Sequence, residues 1–315
     1  MPTTNLFEKI LVPVMSVIVI AVLFLLYFES MQSVKTDTIY TPVAIKNYAD
    51  PFKEIFLSAK SAIVWDVKGG RIVYEKESDM VLPLASLTKV MMAITAADLV
   101  PKSTVIVIRK EFLEEEGDSG LFVDESWTLK DLLDFSLMTS SNDGSRAVAS
   151  VIGAVKSGTA NYTIGRQEFV REMNEKAEKI GLSQTYFSNE NGLDTDEPLG
   201  GAYGTVRDVA YLFEYALRNY PEVMESTTRS ERNMVSLNNI VHRIYNTNWN
   251  VHTIPAVIAS KTGYTSLAGG NLAIAFDPEL GRPIIISVLG STRDGRFTDI
   301  ATLIEATREY LDNER

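Results

Sequence analysis

Residues 85–100 read A-S-L-T-K-V-M-M-A-I-T-A-A-D-L-V, and Val90, Met91, Met92, Ala93, Ile94, Ala96 and Ala97 leave no polar face on a helix drawn through them. A helix that is apolar all round belongs inside a domain, with other elements packed on every side. The fold must therefore be built around this segment. At 315 residues the chain is long enough to bury such a core in one or two domains. Ser86 then stands at the amino end of a central helix, and Lys89, one turn on, is a lone cation in an apolar run.

The flanking segments divide by periodicity. Ala62–Val67 and Arg71–Glu75 are β-rich runs separated by Lys68-Gly69-Gly70, which is a hairpin signal. Phe52–Lys60 before them reads as a short helix. The middle of the chain is helical. Thr128 with Asp131 caps a helix carrying Leu129, Leu132, Leu133 and Leu137 on one face. Phe169, Val170, Met173, Ala177 and Ile180 repeat at helical spacing up to the stop at Gly181. Thr205 with Asp208 opens a helix that Pro221 ends. Strands return at Val257–Ser260, Leu272–Phe276 and Pro283–Leu289, and Asp299–Leu311 is an amphipathic helix. These runs imply an α+β fold: one sheet made from both chain ends, with a helical subdomain over approximately 100–250 inserted at its edge.

Ile10–Phe28 is apolar except for Ser16, with Pro13 near its start. These 19 residues would span about 30 Å as a helix, which is the hydrocarbon thickness of a bilayer. A cleaved signal peptide has a shorter apolar core and a small-residue cleavage site, and none follows Phe28. The expected organisation is a cytoplasmic tail over 1–9, a transmembrane anchor over 10–28, a linker over 29–49 that contains Lys35 and Pro42, and a catalytic domain over 50–315. The flanking charges, Glu8 with Lys9 and then Lys35, orient the span poorly. The chemistry below places the large part outside the cytoplasm.

Composition removes several function classes. With no cysteine, thiolate catalysis, disulfides and cysteine zinc sites are excluded. The two histidines, His242 and His252, have no metal-ligand spacing and lie near no nucleophile motif, so neither a metal centre nor a Ser-His-Asp triad is expected. A net charge of −11 argues against a nucleic-acid binder. No nucleotide loop is present, and no cofactor is implied.

Three short motifs occur in order: Ser86-Leu87-Thr88-Lys89, Ser140-Ser141-Asn142 and Lys261-Thr262-Gly263. They fall on a helix start, an interhelical loop and a strand. Each alone is explained by capping or turn chemistry, but a solvated Lys89 is awkward in a buried helix. Positions i and i+3 share a helix face, so Lys89 can set its amine beside the Ser86 hydroxyl. A hydroxyl is a poor nucleophile until a base takes its proton, and burial lowers a lysine pKa enough to supply that base. The free N–H groups at the helix start let the Ser86 N–H serve as half of an oxyanion hole. Ser140 can relay a proton to a leaving amine, and Asn142 can orient Lys89. Lys261 adds positive charge on an edge strand, Thr262 offers a hydroxyl to a carboxylate, and Gly263 permits close backbone approach. The Tyr264 N–H would complete the oxyanion hole. Elsewhere, Glu114-Glu115-Glu116 reads as a solvated face, Asp194 and Asp196 as loop residues, and Asn161-Tyr162-Thr163 as a weak glycosylation pattern.

With these residues in place, the stretch from about Phe52 to Leu311 resembles the low-molecular-mass penicillin-binding proteins, the serine-type D-alanyl-D-alanine carboxypeptidases. Pro83-Leu84-Ala85, Ser141-Asn142-Asp143-Gly144, Asn191-Gly192-Leu193-Asp194, Thr205-Val206-Arg207-Asp208, Tyr264-Thr265 and Gly295-Arg296-Phe297 extend the likeness. The resemblance implies a five-stranded antiparallel sheet flanked by helices and a helical subdomain, with the site between them. It implies removal of the last D-Ala from a peptidoglycan stem peptide through an acyl-enzyme, and acylation by β-lactams. It also implies Arg296, or its neighbour Arg293, as the binder of the terminal carboxylate. Relatives often carry a C-terminal β-rich domain and anchor, whereas this chain ends soon after its last helix. Val155–Thr163 resembles a local insertion, and Glu190 stands where proline is frequent. A D,D-endopeptidase, a β-lactamase and a non-catalytic membrane-anchored cell-wall scaffold are the competing readings. No E-x-x-L-N pattern supports the β-lactamase.

Overall fold

The computed structural model describes residues 6–32, 50–117, 120–195 and 199–314. The chain separates into two compact units, 1–48 and 49–315. The first holds a single described helix, α1 (Leu6–Gln32). Its described side chains, 14, 15 and 17–29, are exposed. Among the described residues no helix is long and apolar enough to cross a membrane. Positions 33–49 of the expected linker lie outside the described residues, as does Asp196.

The second unit is α+β. Its strands are β1 (Ser61–Asp66), β2 (Arg71–Lys76), β3 (Leu82–Pro83), β4 (Val105–Val107), β5 (Ser126–Thr128), β6 (Tyr186–Phe187), β7 (Ala202–Gly204), β8 (Glu231–Val235), β9 (Val241–Tyr245), β10 (Val257–Thr265), β11 (Gly269–Phe276) and β12 (Ile284–Ser291). Its helices are α2 (Thr88–Leu99), α3 (Leu129–Thr139), α4 (Asn142–Ser157), α5 (Tyr162–Lys179), α6 (Val206–Asn219), α7 (Pro221–Met224) and α8 (Gly295–Asn313). The main sheet runs β10-β11-β12-β1-β2, antiparallel at every pairing. It is therefore assembled from the two ends of the unit, with the helices between β3 and β10 inserted. The strand carrying Lys261 lies at its edge.

Both faces of the sheet are covered, which explains why β12 reads as a nearly unbroken apolar run. Alternate residues serve different cores. Ala273, Ala275, Ile285 and Leu289 join the core around α2. Leu272, Ile274, Ile284, Ile286 and Val288 pack with Phe297, Ile300 and Leu303 of α8. Helix α2 is buried from Thr88 to Ala96, as an all-round apolar sequence requires. The expected capping contacts form: Thr128 Oγ1 accepts from the Asp131 N–H at 3.1 Å, and Thr205 Oγ1 accepts from the Asp208 N–H at 3.0 Å.

Phe52–Lys60 is not a helix. Tertiary partners claim its backbone: the Ser58 and Ala59 N–H groups donate to the Asp299 carboxylate at 2.8 and 2.9 Å, and the Leu57 and Ala59 carbonyls accept from Lys76 Nζ. Strands β8 and β9 form a hairpin that periodicity did not reveal.

Candidate active site

Ser86 lies in a short 3₁₀ turn, Ala85–Leu87, that runs directly into α2. The turn is held from several directions. The Leu84 N–H donates to the Ala202 carbonyl, Asn271 Nδ2 of β11 donates to the Pro83 carbonyl, and Thr88 Oγ1 donates to the Ala85 carbonyl. Ala85 is buried at φ 48°, a left-handed conformation costly for a residue with a Cβ, and these contacts keep it there. Gly192, at φ 81°, lies against the same turn; a Cβ there would collide with the Ala85 carbonyl.

Lys89 is fully buried, and its amine donates to three oxygens: Ser86 Oγ at 2.9 Å, Asn142 Oδ1 at 2.7 Å and the Asn191 carbonyl at 2.7 Å. None of the three is charged. Burial, which penalises an ammonium, lowers the Lys89 pKa to about 7, while the more distant charges of Glu190 and Glu115 work in the opposite direction. A substantial fraction of the amine is therefore neutral near pH 7 and faces a hydroxyl at hydrogen-bond distance, the geometry a general base needs.

Ser140 is the left-handed C-cap of α3 at φ 61°, and Ser141 caps α4 by accepting the Gly144 N–H at 2.9 Å. The two caps force a tight corner that presents Ser140 and Asn142 together. Ser140 Oγ accepts from Lys261 Nζ at 2.9 Å, and Lys261 also donates to the Thr262 carbonyl. Burial, reinforced by the positive charges of Lys89 and Arg296, holds Lys261 well below the ordinary lysine range. Thr262 Oγ1 lies 2.6 Å from Thr247 Oγ1. A Cβ on Gly263 would stand 3.0 Å from the Leu84 carbonyl and 3.2 Å from the Ser86 nitrogen, so a side chain here would push the edge strand and the Ser86 turn apart by a few tenths of an ångström. Tyr264 follows it, exposed.

Arg296 is buried, with Nη1 donating to the Gly263 carbonyl at 2.6 Å. Its Nε is buried without a partner. Burial and the Arg293 charge lower its pKa to about 10 against the opposing effects of Asp294 and Tyr264. Arg293 instead stacks over the Tyr264 ring, 5.2 Å from its centre.

The three motifs thus meet at one place, together with residues whose type gives no signal in the sequence. Asn191 supplies the third acceptor for Lys89, and Asn271 and Thr247 hold the turn and the strand. Glu115 is not part of a solvated face. It pairs with Arg146 at 3.1 Å and Arg166 at 3.2 Å, because α4 and α5 bring two guanidinium groups to it; Glu114 and Glu116 stay exposed. Asp194 is a loop residue that accepts from Thr265 Oγ1 and the Leu267 N–H, tying down the end of β10. Glu190 accepts from Arg166 at 2.8 Å. His242 is bound to Glu125 at 2.5 Å within a cage of Phe122, Trp127 and Phe135. Among the described residues no acidic or histidine cluster could hold a metal ion.

Among known proteins, the D-alanyl-D-alanine carboxypeptidase family matches residues 48–293. The D-alanyl-D-alanine endopeptidase of Pseudomonas aeruginosa is 31% identical over 263 residues, covering 80% of this chain and 76% of that protein. D-alanyl-D-alanine carboxypeptidase DacF of Bacillus subtilis is 29% identical over 258 residues; the match covers 80% of this chain and 62% of DacF. Penicillin-binding protein D2 from Listeria monocytogenes, solved in its ampicillin-bound form, superposes with a TM-score of 0.67 at 27% identity, covering 80% of this chain and 98% of that one. The Streptomyces K15 DD-transpeptidase, at 21% identity, shares the fold with a TM-score of 0.72 over 82% of this chain and 98% of its own.

Proposed function

Because this chain belongs to the D-alanyl-D-alanine carboxypeptidase family, we propose that it removes the terminal D-Ala of peptidoglycan stem peptides through an acyl-enzyme on Ser86. The observation that carries this reading is the fully buried Lys89 amine 2.9 Å from the Ser86 hydroxyl.

In the proposed sequence, neutral Lys89 takes the Ser86 proton as Oγ adds to the carbonyl carbon of the penultimate D-Ala. The Ser86 and Tyr264 N–H groups receive the developing oxyanion. Collapse breaks the peptide bond as the proton taken up by Lys89 is passed on through the hydroxyl of Ser140, held by Lys261, to the leaving amine of the last D-Ala, which returns Lys89 to its neutral form. Asn142 keeps the Lys89 amine directed at Ser86. Water then attacks the ester with Lys89 again as base, which frees Ser86 and the shortened peptide. Thr262, Lys261 and Arg296 receive the terminal carboxylate, and Gly263 keeps β10 close enough for the Tyr264 N–H to reach. Arg296 is favoured over Arg293 because its guanidinium already bonds the Gly263 carbonyl, whereas Arg293 is occupied by the Tyr264 ring. A β-lactam would acylate the same serine.

The substrate lies outside the cytoplasm, and this reading puts the catalytic unit there too, anchored through its N-terminal segment. Support for the anchor comes from the sequence alone: Ile10–Phe28 is apolar except for Ser16 over 19 residues. Retention of the full chain in carbonate-washed membranes, and its loss on deleting residues 1–32, is the expected result; a soluble full chain would remove the anchor.

Endopeptidase action on cross-links is the second reading, favoured by the 31% identical relative of that name. Incubation with a synthetic peptide ending in D-Ala-D-Ala and, separately, with cross-linked muropeptides distinguishes the two. Free D-Ala from the first supports the carboxypeptidase. Cleavage of the second alone replaces it, and cleavage of neither by a folded protein defeats both.

A further inference from the structure

Behind Lys89 lies a buried charge cluster that the reaction sequence does not use. Glu190 is fully buried; one carboxylate oxygen accepts from Arg166 Nε at 2.8 Å and the other has no hydrogen-bond partner. Arg166 reaches on through Nη1 to Glu115 at 3.2 Å. Glu115 accepts from Asn191 Nδ2 at 3.1 Å, and the Asn191 carbonyl is itself an acceptor for Lys89. A continuous path therefore runs Glu190, Arg166, Glu115, Asn191, Lys89, and its carboxylates are withheld from direct contact with the amine. Burying the Glu190 carboxylate fully, with Glu115 largely buried beside it, is costly unless they are paired, and leaving one Glu190 oxygen unpaired adds to that cost.

We infer that Glu190 and Glu115, bridged by Arg166, are positioning residues that act on the Lys89 amine from behind, through the Asn191 carbonyl and through their charge. Burial drives the amine toward the neutral form, and the two carboxylates oppose it through space. Of the neighbouring charged groups, Arg146 on α4 and Arg166 on α5 pair with Glu115, Asp143 on α4 accepts from the Glu115 N–H, and Lys261 on β10 is the cation that feels the Lys89 charge. The carboxylates are the counterweight to burial that keeps the amine usable as both proton acceptor and donor. Too low an affinity would leave a neutral amine unable to hold the Ser86 proton long enough to pass it on.

This inference rests on Lys89 being the base, and the experiment separates the two claims. The rate of Ser86 acylation by a fluorescent penicillin is measured from pH 5 to 9 for wild type, Glu190→Gln and Glu115→Gln, each checked by thermal melting. A wild-type profile that falls on the acid side with a midpoint near 7 supports the base; a flat profile removes it. Loss of either carboxylate charge destabilises the ammonium, so the acid limb of both variants moves to lower pH, by on the order of half a unit or more. If the wild-type limb is present but neither folded variant shifts it, or if the rate falls equally at every pH, the carboxylates are structural and the inference is overturned. Should Glu190→Gln not fold, the position of the acid limb in Glu115→Gln decides between these outcomes by itself.

Discussion

Gly263→Ala tests how closely the edge strand must approach the nucleophile turn. The added methyl meets the Leu84 carbonyl at 3.0 Å, the Ala85 Cβ at 3.2 Å and the Ser86 nitrogen at 3.2 Å, whereas ordinary contact begins at 3.4 Å. The residue has no left-handed φ, so alanine adds no backbone strain. Relief requires β10 to withdraw by 3.4 − 3.0 = 0.4 Å from the Leu84 carbonyl. Displacing reacting groups by 1 Å costs about a hundredfold in rate, or about 2.7 kcal/mol, so 0.4 Å corresponds to about 1.1 kcal/mol, a loss of roughly sixfold. The loss should appear in the acylation step, because the withdrawal carries the Tyr264 N–H away from Ser86. Stopped-flow acylation by a fluorescent penicillin measures it, and a melting curve bounds the overpacking cost, about 1–3 kcal/mol. Acylation at the wild-type rate would show that the separation of β10 from the turn does not govern the chemistry. A loss seen only in deacylation would assign Gly263 a different role.

Two further outcomes follow from named contacts. Thr247→Val removes the partner 2.6 Å from the Thr262 hydroxyl and should raise KM for a D-Ala-D-Ala peptide by roughly fivefold, about 1 kcal/mol, with kcat little changed; an unaltered KM in steady-state assays contradicts this. Burial alone would raise the Asp66 pKa, but hydrogen bonds from Arg282 and the Gly69 N–H, with the charges of Arg282 and Arg71, hold it below the ordinary value of 3.8. A depressed carboxylate stabilises the fold above its unfolded pKa and loses that contribution as pH falls through the folded one. Asp66→Asn should therefore lower stability by about 2 kcal/mol at pH 7, and the difference from wild type in urea unfolding should shrink below about pH 4; a constant difference refutes the pair.

What was legible in the sequence was whatever is encoded locally. The all-round apolar run marked α2 as buried, and the i, i+3 spacing set Lys89 over Ser86. Cap residues such as Thr128 and Thr205 marked helix starts because their hydroxyls accept bonds within one turn. The strands of the sheet were visible because both its faces are buried. Contacts made across the fold left no such trace. Phe52–Lys60 has a helical composition, yet its Ser58 and Ala59 N–H groups bond Asp299, 241 and 240 residues away, and its Leu57 and Ala59 carbonyls bond Lys76, 19 and 17 residues away. Hairpin β8–β9 is hidden because its alternation is scrambled: Val235, Val241 and Tyr245 face solvent, while Arg232 and His242 share the more buried face with Met234 and Ile244. Glu115 looks solvated in a run of three glutamates, and only the packing of α4 on α5 brings Arg146 and Arg166 to it. The Asn191 carbonyl had no signal at all, since any residue type carries one; the Gly192 that lets it approach was visible only as part of a resemblance.

The most direct measurement is the intact mass of the protein after incubation with benzylpenicillin, followed by sequencing of the labelled peptide. One equivalent of covalent adduct on Ser86 in the wild type, and none in folded Ser86→Ala, is the expected result. Equal labelling of the two proteins, or an adduct on any other residue, would contradict the assignment of the nucleophile and the mechanism built on it.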